Sequence, residues 1–141
     1  MKTRNRIISF AMLAILLFAM AVPAFAAIGG GITPYYNNTN ITESDFAISE
    51  DGIATTHFTC RGYRGVTTKI VAETKIEKLV GSSWVQVEGA SWTDESTLYY
   101  CSKSYSIQLQ STGTYKVTYT FTVSGSGGAN DVIVREIERT Y

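Results

Sequence analysis

Apolar and polar residues alternate strictly along residues 113–123, which is the clearest pattern in the chain. One parity carries only apolar or aromatic side chains: Tyr115, Val117, Tyr119, Phe121 and Val123. The other parity carries threonine and one lysine: Thr114, Lys116, Thr118, Thr120 and Thr122. Successive side chains of a β-strand point to opposite faces, whereas an α-helix would not gather these apolar residues on one stripe. The pattern therefore predicts an antiparallel strand with one face in a core and the other in water.

Four further segments show strand patterns. Residues 53–63 carry Phe58 and Cys60 on one face, and residues 97–110 carry Cys101 and Tyr105 on one face. Residues 84–88 follow a turn at residues 81–83, which predicts a hairpin. Residues 131–141 predict the last strand, and we expect a β-bulge near Arg135, where the alternation slips.

Two segments have competing interpretations. Residues 41–49 fit either a first strand or a short helical turn begun by Thr42, and the pattern does not separate them. Residues 66–80 read as a strand with Ile70 and Ile76 facing inward and Lys78 as the inward exception. A helix over residues 72–79 would gather only a narrow apolar stripe, so we predict a strand.

The remaining segments are predicted turns and loops. They comprise a glycine-rich, flexible N-terminal segment (27–40, with an exposed loop at 35–40), a basic loop (61–65), a loop that contains Trp92 (89–96), a turn (111–113) and a long flexible connection (124–130). Six to seven strands separated by frequent turns predict an all-β fold. We expect a two-layer antiparallel β-sandwich over residues 41–141.

Residues 1–26 have the organisation of a secretory signal peptide. Three basic residues come first: Lys2, Arg4 and Arg6. The apolar run that follows, residues 7–22, is shorter than the roughly 20 residues that span a bilayer as a helix. Small residues at Ala24 and Ala26 predict cleavage after Ala26. We therefore expect a secreted, extracellular protein without a membrane attachment after cleavage.

Charge and composition narrow the choice of partners. Cleavage removes three of 12 basic residues, which leaves 9 Lys+Arg against 12 Asp+Glu and a net charge of about −3. So weak a charge argues against nonspecific nucleic-acid binding and against electrostatic membrane binding. Abundant Thr, Tyr, Val, Ser and Gly suit strands and turns. The oligomeric state is left open by the sequence.

Export makes a disulfide between the two cysteines, Cys60 and Cys101, the expected pairing. Strand parity places both on apolar faces. A bridge that closes a loop of about 42 residues would contribute roughly 4 kcal/mol in the chain-entropy model. A redox-active or metal-binding pair is not indicated, because the chain has neither a Cys-x-x-Cys motif nor a Cys/His cluster.

Residues 113–117, Gly-Thr-Tyr-Lys-Val, resemble the start of the strand that bears the tyrosine corner of the immunoglobulin-like β-sandwich. The order Cys60, Trp84, Cys101 is similar to the order found in that fold. The resemblance implies an immunoglobulin-like sandwich in which residues 113–123 take the place of strand F. Cys101 then lies one strand earlier than the second cysteine of that fold. A bridge between neighbours in one sheet is therefore an alternative to a bridge across the two sheets, and the sequence does not separate them. The layout also resembles small secreted single-domain proteins of Gram-positive bacteria of uncharacterised role, which implies no activity.

Candidate binding residues come from predicted loops and strand ends. The aromatic candidates are Trp92, Tyr63, Tyr99 and Tyr100, since exposed aromatic rings bind sugars and protein partners. Aromatic residues in a small sandwich more often fill the core, and this remains the competing interpretation. Arg61 and Arg64 flank Tyr63 and could recognise an anionic polymer through bidentate contacts. Arginines in a glycine loop are also often simply solvated.

No motif predicts an enzyme, a metal site or a cofactor. The only histidine, His57, faces away from Phe58 and Cys60, and no nucleophile elbow is present. The acidic pairs at residues 50–51 and 94–95 lack calcium-loop spacing, so we interpret them as turn residues. The leading hypothesis is a non-enzymatic module that binds or adheres to an extracellular glycan or protein. The alternatives are a bacteriocin-like or toxin-like antagonist and a structural protein that self-assembles through strand edges.

Overall fold

Seven antiparallel strands account for most of residues 35–141, the part of the chain that the computed structural model describes. They are β1 (Thr39–Ile48), β2 (Ile53–Gly62), β3 (Thr67–Val80), β4 (Ser83–Ser96), β5 (Tyr100–Gln108), β6 (Thr114–Gly125) and β7 (Asp131–Thr140). The order β1-β2-β5 forms one sheet and β4-β3-β6-β7 forms the other. The predicted all-β, two-layer antiparallel sandwich is thus confirmed. In this part of the chain no helix has the length and apolar character needed to cross a bilayer.

Strand β6 lies inside the four-stranded sheet and supplies much of the core. Its apolar parity is fully or almost fully buried, as the alternation predicts: Tyr115, Val117, Tyr119, Phe121 and Val123. Phe58 packs against it from the opposite sheet, with its ring centroid 6.1 Å from that of Tyr119 and 5.4 Å from that of Phe121. Burial of each such side chain stabilises the fold by about 1.5–3 kcal/mol, so this strand contributes a large share of the core.

Both segments with competing interpretations are strands. Residues 41–48 belong to β1, with Phe46 buried, and Thr42 begins no helical turn. Residues 67–80 form β3, which pairs with β4 on one side and β6 on the other. The strand interpretation of residues 66–80 is therefore confirmed.

The loop predicted over residues 89–96 is wrong, because β4 continues to Ser96. Lys75 pairs with Ser91 and Glu77 pairs with Gln86, so residues 87–90 bulge opposite Ile76. Gly89 permits the bulge with a φ of +73°. From the last residue of the bulge, the buried Ala90, alternate residues face inward again, and the half-buried Trp92 is the next.

The bulge predicted near Arg135 is also wrong, because β7 pairs with β6 in one unbroken register. Ile133, Arg135 and Ile137 share a face, so the alternation does not slip. An arginine is accommodated there because β7 is an edge strand, and the guanidinium reaches past the core to donate to Thr42 Oγ1 at 3.4 Å.

The N-terminal boundary also differs from the prediction. Strand β1 begins at Thr39, and Asn38 and Thr39 are buried rather than part of an exposed loop. The connection between β6 and β7 is reduced to residues 126–130. The predicted signal peptide, residues 1–26, and residues 27–34 of the N-terminal segment lie outside the described residues.

Candidate binding site

The structure brings five of the six candidate binding residues together at one end of the sandwich. This Arg–Tyr cluster consists of Arg61, Tyr63, Arg64, Tyr99 and Tyr100. The end of β2 and the turn that follows it supply the first three, and the start of β5 supplies the tyrosine pair. The three tyrosines are 38–43% exposed, so they are not part of the core.

Each arginine of the cluster lies over a tyrosine ring. Arg61 and Tyr100 are paired neighbours on the outer face of the three-stranded sheet, with 5.8 Å between the guanidinium carbon and the ring centroid. Arg64 lies 6.0 Å from the ring centroid of Tyr99. Stacking on an aromatic face restrains a guanidinium and leaves its N–H groups free for a ligand.

The backbone of the cluster is held by hydrogen bonds between the two contributing segments. The Gly62 amide donates to the Tyr99 carbonyl at 2.8 Å. The Tyr63 carbonyl accepts from the amides of Val66 and Thr67, at 3.1 and 2.9 Å, and so closes the turn that carries Arg64. These bonds give the exposed side chains a fixed platform.

A buried polar network lies directly beneath this turn. The Asp131 carboxylate accepts hydrogen bonds from the Asn37 and Asn38 amides, at 2.9 and 2.8 Å, and from the Thr39 hydroxyl at 2.8 Å. The Asn38 carbonyl in turn accepts from the Tyr63 amide at 3.2 Å. The network therefore connects the start of β1, the start of β7 and the turn of the Arg–Tyr cluster.

The network also sets the ionisation of Asp131. Burial by itself would raise the pKa of this carboxyl group. Hydrogen bonds from the Asn38 and Asn37 amides and from Thr39 outweigh burial and lower the pKa below its usual value. Asp131 is therefore a charged group that the fold stabilises through donated hydrogen bonds.

The side-chain amide of Asn38 closes the same network over the turn between β6 and β7. Its oxygen accepts from the Gly127 amide at 3.1 Å, and its nitrogen donates to the Ala129 carbonyl at 2.9 Å. A connection that the glycine content predicts to be long and flexible is thus tied to the domain by hydrogen bonds at both ends.

The Arg–Tyr cluster is cationic within the described residues. Among residues 35–141, neither Arg61 nor Arg64 has a carboxylate oxygen within 4.0 Å. The unfilled hydrogen-bonding capacity of both guanidinium groups therefore faces solvent. An anion placed there would receive charge-assisted hydrogen bonds without displacing an internal partner.

A hydroxyl ladder, which the sequence analysis missed, continues from the cluster along the outer face of β2 and β5. It consists of Thr55, His57 and Thr59 on β2 with Ser106, Ser104 and Ser102 on β5. The facing side chains lie within hydrogen-bonding distance, at 3.4, 2.9 and 3.1 Å respectively. The alternation of serine at residues 102, 104 and 106 was the available signal.

Trp92 does not belong to the cluster. Its ring stacks on Tyr105 with 4.4 Å between centroids and 3° between planes, and it packs against the core. Because β4 extends through this position, the side chain points between the sheets. The Tyr105 hydroxyl donates to Asp94, and burial followed by this bond raises the pKa of Tyr105. The position of Trp92 thus fits the competing interpretation, in which the aromatic side chain fills the core.

Cys60 and Cys101 are buried free thiols rather than the predicted cystine. They face each other on β2 and β5, so the pair lies within one sheet. Gly62 and Tyr99 face each other and are joined by a backbone hydrogen bond, so they form a hydrogen-bonded pair of the antiparallel ladder. Such pairs alternate along the ladder, and Cys60–Cys101 is therefore the next one, with Cα atoms about 5.5 Å apart. That spacing lies within the range of Cα distances found in cystines, so the strand register is compatible with a disulfide.

Burial suppresses the reactivity of both thiols. It raises the pKa of Cys60 to about 12, with smaller contributions from Cys101 and Asp131. Burial and the nearby Asp94 also raise the pKa of Cys101. Since the thiolate is the reactive form, neither thiol is activated as a nucleophile.

His57 takes part in a cross-strand row with Asp45 and Ser104 on the outer face of the three-stranded sheet. Its Nδ1 lies 2.9 Å from Ser104 Oγ, and all three side chains are exposed. Within residues 35–141, no group of three or more His, Cys, Asp or Glu side chains is placed to hold a metal ion.

No protein-family model matches the chain, and no curated protein matches it. Among solved structures, it is similar to a crystallised protein from Archaeoglobus fulgidus. The match has 14% sequence identity and a TM-score of 0.33, and covers 73% of this chain and 97% of the other. Similarity at this level carries no functional argument, so function has to be inferred from the geometry.

Proposed function

We propose that this protein is exported and acts outside the cell as a non-enzymatic binding module for an anionic glycan, which it holds through the Arg–Tyr cluster. The observation that carries the proposal is the pair of guanidinium groups, Arg61 and Arg64, each stacked on an exposed tyrosine and without a carboxylate partner in the described residues.

The chemistry of the surface supports a glycan rather than a protein partner. Guanidinium groups bind carboxylate and phosphate in a bidentate manner, and tyrosine faces stack on sugar rings. The hydroxyl ladder adjoins the Arg61–Tyr100 pair and offers donors and acceptors for sugar hydroxyls. An extended polymer along β2 and β5 would meet all three types of group in sequence.

We further propose an immunoglobulin-like relationship for the sandwich. The order β1-β2-β5 against β4-β3-β6-β7 corresponds to strands A-B-E against C′-C-F-G of that fold. The Tyr115 hydroxyl donates to the Ser111 carbonyl four residues upstream, which is the geometry of a tyrosine corner at the start of strand F. Such sandwiches commonly bind ligands at the ends or on the faces of the sheets, where the Arg–Tyr cluster and the hydroxyl ladder lie.

Retention on immobilised polysaccharide tests the proposed function. We expect the exported protein to be retained on polygalacturonate, which carries carboxylates, and not on neutral dextran. The double variant Arg61→Ala/Arg64→Ala should lose retention by more than tenfold, whereas the control Lys69→Ala/Lys103→Ala, which removes the same charge from other exposed sites, should not. A phosphate-bearing polymer of the teichoic type distinguishes the two anion chemistries.

Three results would overturn the proposal. These are equal retention of the wild-type protein on dextran, retention by the double arginine variant that matches wild type, and no retention on either anionic polymer. Circular dichroism of each variant separates loss of binding from loss of fold.

Self-assembly is a second candidate, because β7 is an edge strand with two exposed valines. Val132 and Val134 are 64% and 51% exposed on its outer face. An uncovered strand edge beside apolar side chains can pair with another chain. Sedimentation at high concentration tests this candidate: assemblies that Val132→Thr/Val134→Thr abolishes would support it, and a monomer at all concentrations would exclude it.

A further inference from the structure

A shallow apolar groove opens at the end of the sandwich opposite the Arg–Tyr cluster. Its volume is about 190 Å³, and its walls include Val80, Val85, Val87 and Tyr115. It lies where β3 ends and β6 begins, between the β3–β4 hairpin and the connection from β5 to β6. Val80 and Val85 are 56% and 51% exposed, so apolar surface here remains open to solvent.

Lys78 lines the same groove in an unusual environment. It lies on the inward-facing parity of β3, where its neighbours in the sheet are Val85 and Tyr115. The ammonium group donates to Ser111 Oγ at 2.6 Å and lies 5.5 Å from the ring centroid of Tyr115. Among residues 35–141, no carboxylate oxygen lies within 4.0 Å of it.

A second cation borders this position. Arg139 is the β7 partner of Tyr115, so the inner-face row reads Lys78, Tyr115, Arg139 across three strands. Arg139 likewise has no carboxylate within 4.0 Å in the described part of the chain. A half-buried cation with only neutral partners is a favourable position for an anion, because an anion compensates for lost hydration.

We propose that the groove binds a small carboxylic acid with a short apolar chain. The carboxylate accepts from the Lys78 ammonium, and the chain lies against Val80, Val85 and Val87. A volume of about 190 Å³ corresponds to the liquid volume of about six water molecules. It is below the ~300–1,000 Å³ of pockets for drug-sized ligands, so the occupant is short. This site is independent of the Arg–Tyr cluster.

Titration with three probes of one chain length tests the chemistry. Hexanoate, hexan-1-ol and hexylamine are added separately to isotopically labelled exported protein, and amide shifts are followed by NMR. We expect hexanoate to shift Val80, Val85 and Tyr115 saturably and to bind at least tenfold more tightly than hexan-1-ol, with hexylamine weakest. Equal binding of the three probes, shifts elsewhere, or no shift with hexanoate would overturn the proposal.

A matched pair of lysine variants isolates the charge. Lys78→Met keeps an apolar stem beside Gly113 and should weaken hexanoate binding about tenfold, whereas Lys75→Met on the outer face of β3 should leave it unchanged. Unaltered binding by Lys78→Met would contradict the proposal. If that variant does not fold, the ranking of probes on the wild-type protein decides. If a short peptide with a free terminal carboxylate binds tenfold more tightly than hexanoate, the ligand of the groove is a peptide C-terminus and the proposal of a small acid is overturned.

Discussion

At the scale of single residues, Asp131 makes stability depend on pH in a defined direction. Its pKa is lowered in the folded state, so its stabilising contribution is complete above the unfolded pKa of about 3.9 and is lost as pH falls through the lower folded pKa. We expect Asp131→Asn to lower the free energy of unfolding by about 1–3 kcal/mol at pH 7, because an NH2 group replaces one of the two carboxylate oxygens. The donors on that side, either Asn37 or Asn38 with Thr39, lose their acceptor, and the remaining acceptor is no longer charged.

Urea unfolding of wild type and Asp131→Asn between pH 7 and pH 2 measures this effect. The difference between the two proteins should narrow as Asp131 becomes protonated at acidic pH. Glu138→Gln, which changes an exposed carboxylate on the same strand, is the control and should show no such convergence. A constant difference across the range would contradict the assigned role.

The two cysteines give a second prediction at this scale. We propose that, during export, Cys60 and Cys101 form a disulfide by exchange with the disulfide of a thiol oxidase, which is reduced to two thiols. The exchange takes place before the sheets close, because burial leaves almost no thiolate in the folded protein. Protein recovered from the medium should be lighter than its reduced form by two hydrogen atoms and should resist alkylation in urea unless a reductant is added. Two alkylated cysteines without reductant would refute the cystine.

The folded, reduced protein should also react slowly with iodoacetamide, and urea should accelerate the reaction. Ser82→Cys in a background lacking Cys60 and Cys101 places an exposed thiol on the β3–β4 hairpin and controls for the reagent. Rapid labelling of the native cysteines without urea would show that they are accessible, contrary to their exposed fractions of 0% and 5%.

At the scale of elements, the connection from β2 to β3 contains two glycines that are required for different reasons, one by steric crowding and the other by backbone conformation. A Cβ on Gly62 would collide with the Thr67 hydroxyl and would lie 2.7 Å from the Asn38 carbonyl oxygen. A Cβ on Gly65 meets nothing within 4 Å, but this residue has a φ of +83°. We expect Gly62→Ala to cost about 3 kcal/mol and Gly65→Ala about 1 kcal/mol.

Equilibrium unfolding of the two glycine variants checks the order of these costs. Gly62→Ala should also weaken polygalacturonate retention, because it displaces the backbone bond between Gly62 and Tyr99. Equal destabilisation by the two variants would show that crowding at the end of β2 is relieved by local movement.

The sequence predicts elements well where burial on one face is continuous. Strand β6 can be predicted from the sequence because every inward position from Tyr115 to Val123 is apolar. Strand β4 was not, because its inward positions after the bulge include Asp94 and Ser96, and because Gly89 reads as a turn. Trp92 was misplaced for the same reason. The Arg–Tyr cluster was predictable as a set of residues, but its assembly depends on the β2–β5 register, which alternation alone does not specify.

At the scale of the whole molecule, the net charge of about −3 that we expect after cleavage at Ala26 opposes binding to a polyanion, so attraction has to be local to the Arg–Tyr cluster. Exposed charges are screened over about 10 Å at 0.1 M salt, and added salt should therefore release the protein from polygalacturonate. Arg61→Lys/Arg64→Lys keeps the charge but removes the planar fork and its stacking.

Elution over a salt gradient distinguishes charge from geometry. We expect the double lysine variant to elute at a several-fold lower salt concentration than wild type, because it keeps the charge but loses the planar guanidinium groups. Elution at the wild-type position would show that charge alone suffices and that the stacked geometry is irrelevant. Salt-insensitive retention would instead show that charge does not hold the protein on polygalacturonate, contrary to the proposal.

The register of Cys60 with Cys101 has a mechanical consequence for the polymer binding that we propose. These cysteines are the sequence neighbours of Arg61 and Tyr100, and β5 is an edge strand joined only to β2 within its sheet. Tension on a polymer held by Tyr100 would load the β2–β5 ladder from its end, where hydrogen bonds can open one after another. The proposed cystine, one residue from that end, would transfer the tension to both strands, so that the polymer would detach before the hydrogen bonds of the sheet opened.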